Sequence, residues 1–459
     1  MEYNCSEIIL AQQDFFKTKI TRRLYYRKTA LKKLLKEVKK RENDICDALY
    51  ADFKKSKFES VASETSIVIS ELKLTIKKLK AWALPKRVFP SLLNFPSKDR
   101  IYSEPYGTTL IISPWNYPYQ LALAPLIGAV AAGNTVVLKP SELTPNTSQI
   151  LEEIVSEVFD ENHVKVVQGG IPISQELLAL RWDYIFFTGS VQVGKIIAKA
   201  AATNLTPVTL ELGGKNPCIV DIHSDFKLTA KRIVWGKFLN AGQTCIAPDY
   251  LIVQAQAKFD FIKVLIEEIN IAYGENPQES PDYPRIINEK NFDRLAKMLT
   301  NETVLHGGIT DKDDLYFAPT LIDEPALDSE VMKDEIFGPI LPVQVYSSLE
   351  DISSIIESYE KPLSLYVFSN DNKFANRMIQ QYSFGGGAIN DTLTHFLNHR
   401  MPFGGVGHSG IGSYHGKGSF DTFSHKKSVT KKSTWLDVPV RYAPYKGKLK
   451  ILQTFLKYF

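Results

Sequence analysis

Cysteine is scarce in this chain: four residues in 459, at Cys5, Cys46, Cys218 and Cys245, with no CxxC pair among them. That spacing excludes a disulfide-stapled secreted scaffold and a cysteine-rich zinc site, and it fits a reducing cytoplasm. Net charge is also small, +4, with a pI near 8.5, which gives no basic stripe for nucleic acid. The amino terminus, MEYNCSEIILAQQDFF, lacks the basic start and apolar run of a secretory leader, so no export is expected. The strand–turn–helix segment FFTGSVQVGK (186–195) is not GxGxxG, so the standard dinucleotide fingerprint is absent there. Long apolar runs are missing too, with one exception at 121–138. There Pro125 and the Gly133-Asn134 turn interrupt the run, and a β-branched TVVLK ends it. A buried helix followed by a buried parallel strand suits it better than a membrane span.

What remains is an ordinary globular composition, 44% hydrophobic and 23% charged, in a chain long enough for two or three domains. Residues 5–50 carry Leu31, Leu34, Leu35, Val38, Ile45 and Leu49 near helical period, and a second helix is expected from about 60 to 83. Pro85, Pro90 and Pro96 break the pattern. From 108 to 220 strands alternate with helices (TTLIIS, TVVLKP, VKVVQGG, YIFFTG, PVTLEL), which predicts a doubly wound parallel sheet. DYLIVQ, TLID, ILPVQVY and LSLYVFS continue the alternation in a second α/β unit up to about 395.

Two strings concentrate the chemistry: ELGGK at 211–215 and NAGQTC at 240–245. Glu211 ends a predicted strand, and Cys245 lies on a loop after a predicted helix at 229–239. A thiol and a carboxylate among glycines suit a nucleophile and a general base meeting in one cleft. A lone cysteine is otherwise packing, and a lone glutamate an ordinary surface charge. FFTGSVQVGK (186–195) reads as strand, tight Gly189-Ser190 turn and helix start with Gly194, a place where backbone N–H groups can hold a pyrophosphate. Taken singly, it is equally a structural turn. Lys139 and Glu142 of LKPSE close another strand, where they form either a ribose contact or a surface ion pair. Asn116, after Pro114-Trp115, is a turn residue or an oxyanion donor. His395 and His399 stand four apart, but FLN between them adds no carboxylate and no metal site is expected.

Taken together, SPWNYP, LKPSE, FTGS, LELGGKNP, NAGQTC, EIFGPI, GGGAIND and MPFGGVGHSG resemble the aldehyde dehydrogenase superfamily, in its order, over roughly residues 100–425. NAGQTCIAPDY and YHGKGSFDTFSHKK look like its class 3 branch, which includes fatty and aromatic aldehyde dehydrogenases. The resemblance implies Cys245 as nucleophile, Glu211 as general base and Asn116 as oxyanion donor. It places Ser190 near a pyrophosphate and Lys139 and Glu142 at an adenosine ribose. Glu335 would hold the nicotinamide ribose, with Phe337 and Trp115 beside the ring. It further implies an α/β fold with a Rossmann-like open-sheet cofactor domain (1–82 and 103–210), a catalytic domain (211–395), and a small β bridging arm with the tail (83–102 and 396–459). NAD is the expected cofactor, since Glu142 would repel a 2′-phosphate, although branch members often accept NADP.

Tyr117, Tyr119, Trp235 and Leu239 flank the catalytic loops, which would suit an apolar or aromatic aldehyde, although core packing explains them equally well; the assembly would be a homodimer. The site should lower the Cys245 pKa. His408 and Ser413 depart from the branch pattern at the pocket mouth. In the tail (446–459), Leu449, Leu452, Leu456 and Phe459 would share a helical face that could lie on an anionic membrane or cap the substrate entrance of a second copy. Transfer of the acyl group to coenzyme A, and a catalytically silent binding protein, are the competing readings. Glu211 argues against the first, and the intact trio of Cys245, Glu211 and Asn116 against the second.

Overall fold

The computed structural model describes residues 4–91 and 94–457, apart from the side chain of Phe455. Phe459 of the predicted tail face therefore lies outside the described residues.

The apolar run becomes the helix Gln120–Ala132, buried at every position with Pro125 inside it. It stops at Gly133, whose φ of 104° is open to glycine, and whose N–H bonds the carbonyls of Ala129 and Val130. The strand Thr135–Lys139 follows, also wholly buried, as a run covered on both faces must be.

That strand sits in a sheet of six. Five strands run parallel in the spatial order Val164–Val166, Thr135–Lys139, Thr108–Ile112, Tyr184–Thr188, Val208–Glu211, and the short Gly410–Ile411 closes the edge antiparallel. Chain order reverses between Thr108–Ile112 and Tyr184–Thr188, so the crevice for a ligand opens at their carboxyl ends. The Pro114–Asn116 turn and the Gly189-Ser190 turn both lie there.

Alternate strand residues build separate cores. Val136, Leu138, Tyr184 and Phe186 pack with Leu31, Leu34, Val38, Leu126 and Ile127. Val137, Ile185, Phe187 and Leu210 pack on the other face with Ile197, Ala201, Cys5 and Ile9. Each fully buried Leu, Ile or Phe contributes roughly 1.5–3 kcal/mol against exposure.

This two-faced packing corrects the single helical run expected over 5–50. The chain forms Cys5–Lys17, Leu24–Lys40 and Glu42–Phe53 instead, with breaks at Lys19 (φ 61°) and Arg41. Cys5 and Ile9 serve one sheet face, and Leu31 and Leu34 serve the other, so the chain must turn as it rounds the sheet. Gln12 Nε2 fastens the first helix to the carbonyl of Val136 at 2.7 Å. The expected helix over 60–83 is Ser66–Ala83, preceded by a wider π-type turn over Val61–Thr65.

A second, seven-stranded sheet has the order Val304–His306, Thr320–Asp323, Ile340–Tyr346, Tyr250–Gln254, Pro217–Val220, Ser364–Phe368, Gly386–Ile389. Its pairs are parallel except Val304–His306 with Thr320–Asp323. DYLIVQ, TLID, ILPVQVY and LSLYVFS thus fall in strands as expected. A third sheet is antiparallel, Lys86–Val88 on Ser97–Pro105 on Ser424–Lys432, and its outer strand has largely exposed side chains. Among the described residues no helix is long and apolar enough to cross a membrane. The tail helix Leu449–Leu456 leaves Leu449, Ile451, Leu452 and Leu456 exposed.

Candidate active site

Glu211 is the last residue of its strand, and its carbonyl accepts the N–H of Gly189 at 3.0 Å, which joins the ELGG and FTGS turns. Its side chain is 3% exposed, and neither carboxylate oxygen has a hydrogen-bond partner. Burial pushes its pKa well above the usual carboxylate range. Gly213, two residues on, is required by its neighbour: a Cβ there would lie 2.0 Å from Oε2 of Glu335. Glu335 is itself pushed up to about 8 by burial and by Asp249.

The helix before Cys245 spans Phe226–Phe238, with Asp225 capping it through the N–H of Leu228 at 3.1 Å. Beyond it Asn240, Ala241 and Gly242 adopt φ values of 54°, 51° and 73°, a left-handed turn that two non-glycine residues hold under strain. Any Cβ on Gly242 would meet the carbonyl oxygen of Gly338 at 2.2 Å. Polar side chains hold the turn. Gln243 Nε2 donates to the carbonyls of Asn240 (3.1 Å) and Arg285 (3.0 Å), and its Oε1 accepts from Ile287 N–H. Asn216 Nδ2 donates to the carbonyls of Cys245 (2.8 Å) and Ala247 (3.0 Å), and Tyr366 Oη to that of Ile246 (2.6 Å).

Cys245, Glu211 and Asn116 line one cavity of about 1520 Å³. Ligand pockets commonly measure about 300–1,000 Å³, so a dinucleotide and a substrate can share this one. Asn116 is buried, with its amide donating to the Gln243 carbonyl at 3.1 Å and one N–H left over. The thiol departs from expectation. Burial first, then Glu335 and Glu211, push its pKa up to about 12, and the N–H groups of Cys245 and Ile246 do not offset them. Burial thus favours the protonated thiol.

The crevice fits a dinucleotide. Ser190 caps the helix Val191–Thr203 through the N–H of Val193 at 3.4 Å, and Val191 and Gln192 of its first turn face the cavity. Trp115, Gly189, Ser190, Glu335 and Phe337 all line it, with the Trp115 and Phe337 rings edge to face at 5.2 Å. Phe337 has a left-handed φ of 50°. Lys139 and Glu142 lie outside the lining and pair with each other at 2.8 Å. Gly194 also lies outside it, buried where a Cβ would strike Leu212.

Tyr117, Trp235 and Leu239 line the cavity as expected, and so does His408. Tyr119 does not: it is wholly buried in the core beside the helix Gln120–Ala132. Sequence reading missed Lys55, Glu59 and Glu64, buried under the site: Lys55 in the loop after Glu42–Phe53, Glu59 in the short helix Lys57–Ser60 and Glu64 in the π-type turn Val61–Thr65. Lysines interleaved along that region resemble a solvated face, and only burial separates Lys55 from them. His395 and His399 do not converge on a metal: His399 pairs with Glu71 at 2.9 Å, and His395 lies 3.5 Å from Ser364 Oγ.

A parallel sheet with its crevice at the reversal point, and a thiol and a buried carboxylate lining one cavity there, suit an enzyme that binds a nucleotide. The aldehyde dehydrogenase family model matches residues 4–429, and the chain belongs to that family. The 4,4′-diaponeurosporen-aldehyde dehydrogenase of Staphylococcus aureus is 51% identical over 96% of this chain and 97% of its own length. The dimeric NADP-preferring aldehyde dehydrogenase of Canis lupus familiaris is 42% identical over 97% of this chain and 98% of its own. A solved structure of Staphylococcus aureus AldH in its substrate-bound state superimposes with a TM-score of 0.97 at 49% identity, covering 99% of this chain and all of the other. The chain catalyses NAD(P)-dependent oxidation of an aldehyde.

Proposed function

We propose that the chain oxidises a long or aromatic apolar aldehyde to the free carboxylic acid, with Cys245 as nucleophile, Glu211 as general base and Asn116 as oxyanion donor. One observation carries the reading: the three side chains share a cavity, and both oxygens of Glu211 are left without partners beside the thiol. The Cys245 sulfur, its proton lost to solvent, attacks the carbonyl carbon, and the C–S bond forms as the oxygen takes up charge. The free N–H of the Asn116 amide and the Cys245 N–H then donate to that oxygen. Loss of hydride from the same carbon restores the C=O as a thioester. NAD(P), when bound, supplies the hydride acceptor and the positive charge that the thiol lacks. Glu211 takes a proton from water, the water attacks the remaining thioester carbon, and the C–S bond breaks to release the acid. Removing one oxyanion donor typically costs about 2.7–4 kcal/mol, so Asn116→Ala should lose on the order of 100-fold in kcat.

Glu335 would hold the nicotinamide ribose, with Trp115 and Phe337 near the ring. Ser190 and its Gly189 turn would hold the pyrophosphate, backed by Gly194. Lys139 and Glu142 would contact the adenosine ribose, where Glu142 would favour NAD over NADP. The apolar wall of Tyr117, Trp235 and Leu239 supports an apolar substrate, as does 51% identity with a relative named for a diaponeurosporene aldehyde. Residues 1–82 with 103–210 form the cofactor domain, 211–395 the catalytic domain, and 83–102 with 396–459 the bridging arm and tail.

A homodimer is supported by the outer strand Ser424–Lys432, which pairs on one side only among the described residues, by exposed Phe89 and Trp435, and by the dimeric relative. The exposed face of Leu449–Leu456 covers the second copy's substrate entrance or touches a membrane surface. Four free cysteines suit the cytoplasm.

Absorbance at 340 nm tests the reading. Purified protein with NAD or NADP and a series of aldehydes should form reduced cofactor, fastest with long or aromatic ones, and Cys245→Ser should abolish it. A signal that requires coenzyme A would replace hydrolysis by acyl transfer. No signal with any aldehyde would defeat the reading.

A further inference from the structure

Beneath the oxyanion loop lies an ion pair that the chemistry above does not use. Lys55 and Glu64 are both fully enclosed, with Nζ 2.6 Å from Oε1. Glu64 belongs to the π-type turn Val61–Thr65, a widened turn of the kind that often marks a functional position. Its other oxygen, Oε2, accepts the backbone N–H groups of Tyr119 (2.9 Å) and Gln120 (3.1 Å). Those are orphan donors at the start of the helix Gln120–Ala132, whose N-cap residue Tyr119 offers no side-chain cap. Lys55 Nζ stands 3.5 Å from the carbonyl of Asn116 and 4.3 Å from the centre of the Tyr117 ring.

The pair therefore grips the segment 116–120 at both ends. Two further contacts tie that segment to the nucleophile loop. Tyr117 Oη shares a hydrogen bond with Thr244 Oγ1 at 2.7 Å, and Asn240 Nδ2 donates to the Asn116 carbonyl at 2.8 Å. A buried ion pair seldom adds stability over an apolar pair of the same volume, so its presence here calls for a gain in geometry.

We propose that the Lys55–Glu64 pair is a positioning device that sets the Asn116 amide at the oxyanion and acts on turnover through that residue. The proposal rests on the reading of Asn116 as an oxyanion donor. Glu64→Gln keeps an oxygen for the two backbone donors but turns an amide N–H₂ toward the Lys55 ammonium, donor against donor, and the loop must shift. A shift felt only when the oxyanion forms lowers kcat and leaves the aldehyde KM in place.

The experiment is a cycle on the full-length enzyme: wild type, Glu64→Gln, Asn116→Ala and both together. Thermal melting and NAD(P) affinity by intrinsic fluorescence are measured alongside. Glu64→Gln should lower kcat roughly 10- to 100-fold, with aldehyde KM and NAD(P) affinity within about threefold of wild type. In the Asn116→Ala background the same change should move kcat by less than about twofold, because the residue it positions is gone. Lys55→Met carries the same cycle if Glu64→Gln does not fold, and Lys55→Arg, which keeps the charge, should recover most of the turnover. Losses that multiply in the double variant, or a loss of NAD(P) affinity with that of kcat, would overturn the proposal. An unchanged kcat in Asn116→Ala alone would instead defeat the oxyanion reading on which it stands.

Discussion

Gly213→Ala tests how tightly the nicotinamide end of the cleft is drawn. The added methyl carbon would lie 2.0 Å from Oε2 of Glu335 and 2.6 Å from its Cδ and Oε1. Ordinary contact between heavy atoms needs roughly 3.5 Å, so the carboxylate must retreat by more than about 1 Å. The chain itself need not yield, because the obstructed atoms are the far end of a side chain and Gly213 has no left-handed φ. Glu335 should then release the ribose hydroxyls while the fold survives. Below about pH 8 that carboxyl is mostly neutral, and a neutral hydrogen bond contributes about 0.5–1.5 kcal/mol, which corresponds to roughly a 2- to 12-fold weaker hold on NAD. Fluorescence titration with NAD and the NAD KM from the 340 nm assay should agree on that loss, with the melting temperature nearly unchanged. The control is Glu335→Ala, which clears the obstruction. On that background Gly213→Ala should cost little more. Equal losses with and without Glu335 would refute the reasoning, since the methyl would then be acting on something else.

Glu211→Gln should leave a burst of about one NAD(P)H per site and slow the steady phase roughly 10²- to 10⁴-fold, the usual worth of a general base. Rapid-quench or stopped-flow traces in which burst and steady phase fall together would count against deacylation as its step. The Cys245 thiol, pushed up to about 12, is the protonated acid at every pH below that. Its alkylation by iodoacetamide without cofactor should therefore climb about tenfold per pH unit from 7 to 10, and a plateau above pH 8 would contradict it. Removing residues 446–459 strips the exposed apolar tail face. That truncation should change KM for long-chain aldehydes and spare short ones, and identical kinetics across all lengths would dismiss the gating idea.

The buried run 121–138 was legible because Pro125, the Gly133 turn and β-branched TVVLK are local signals, and the structure places helix and strand there. Cys245, Glu211 and Glu335, which line one cavity, stood out only through their neighbouring strings. Lone Cys, Glu and Asn residues carry no chemistry that separates them from packing. Lys55 and Glu64 stayed hidden for the converse reason: a lysine in a lysine-rich helical region looks solvated, and nothing local tells that one of them is sealed beneath a loop 61 residues away. The break near Lys19 was also illegible, because apolar period runs through both helices and only the opposite sheet faces they cover force the turn.

Local chemistry thus determined which segments would be helix or strand, which turns needed glycine, and which family this chain joins. Tertiary structure decided what those residues feel. It stripped water from Glu211, drove the Cys245 thiol toward its protonated form and brought the amino-terminal ion pair under the oxyanion loop. Periodicity and turn propensity act between neighbours along the chain. Desolvation and charge proximity depend on which distant segments close over a group, and that is settled only when the sheets are stacked.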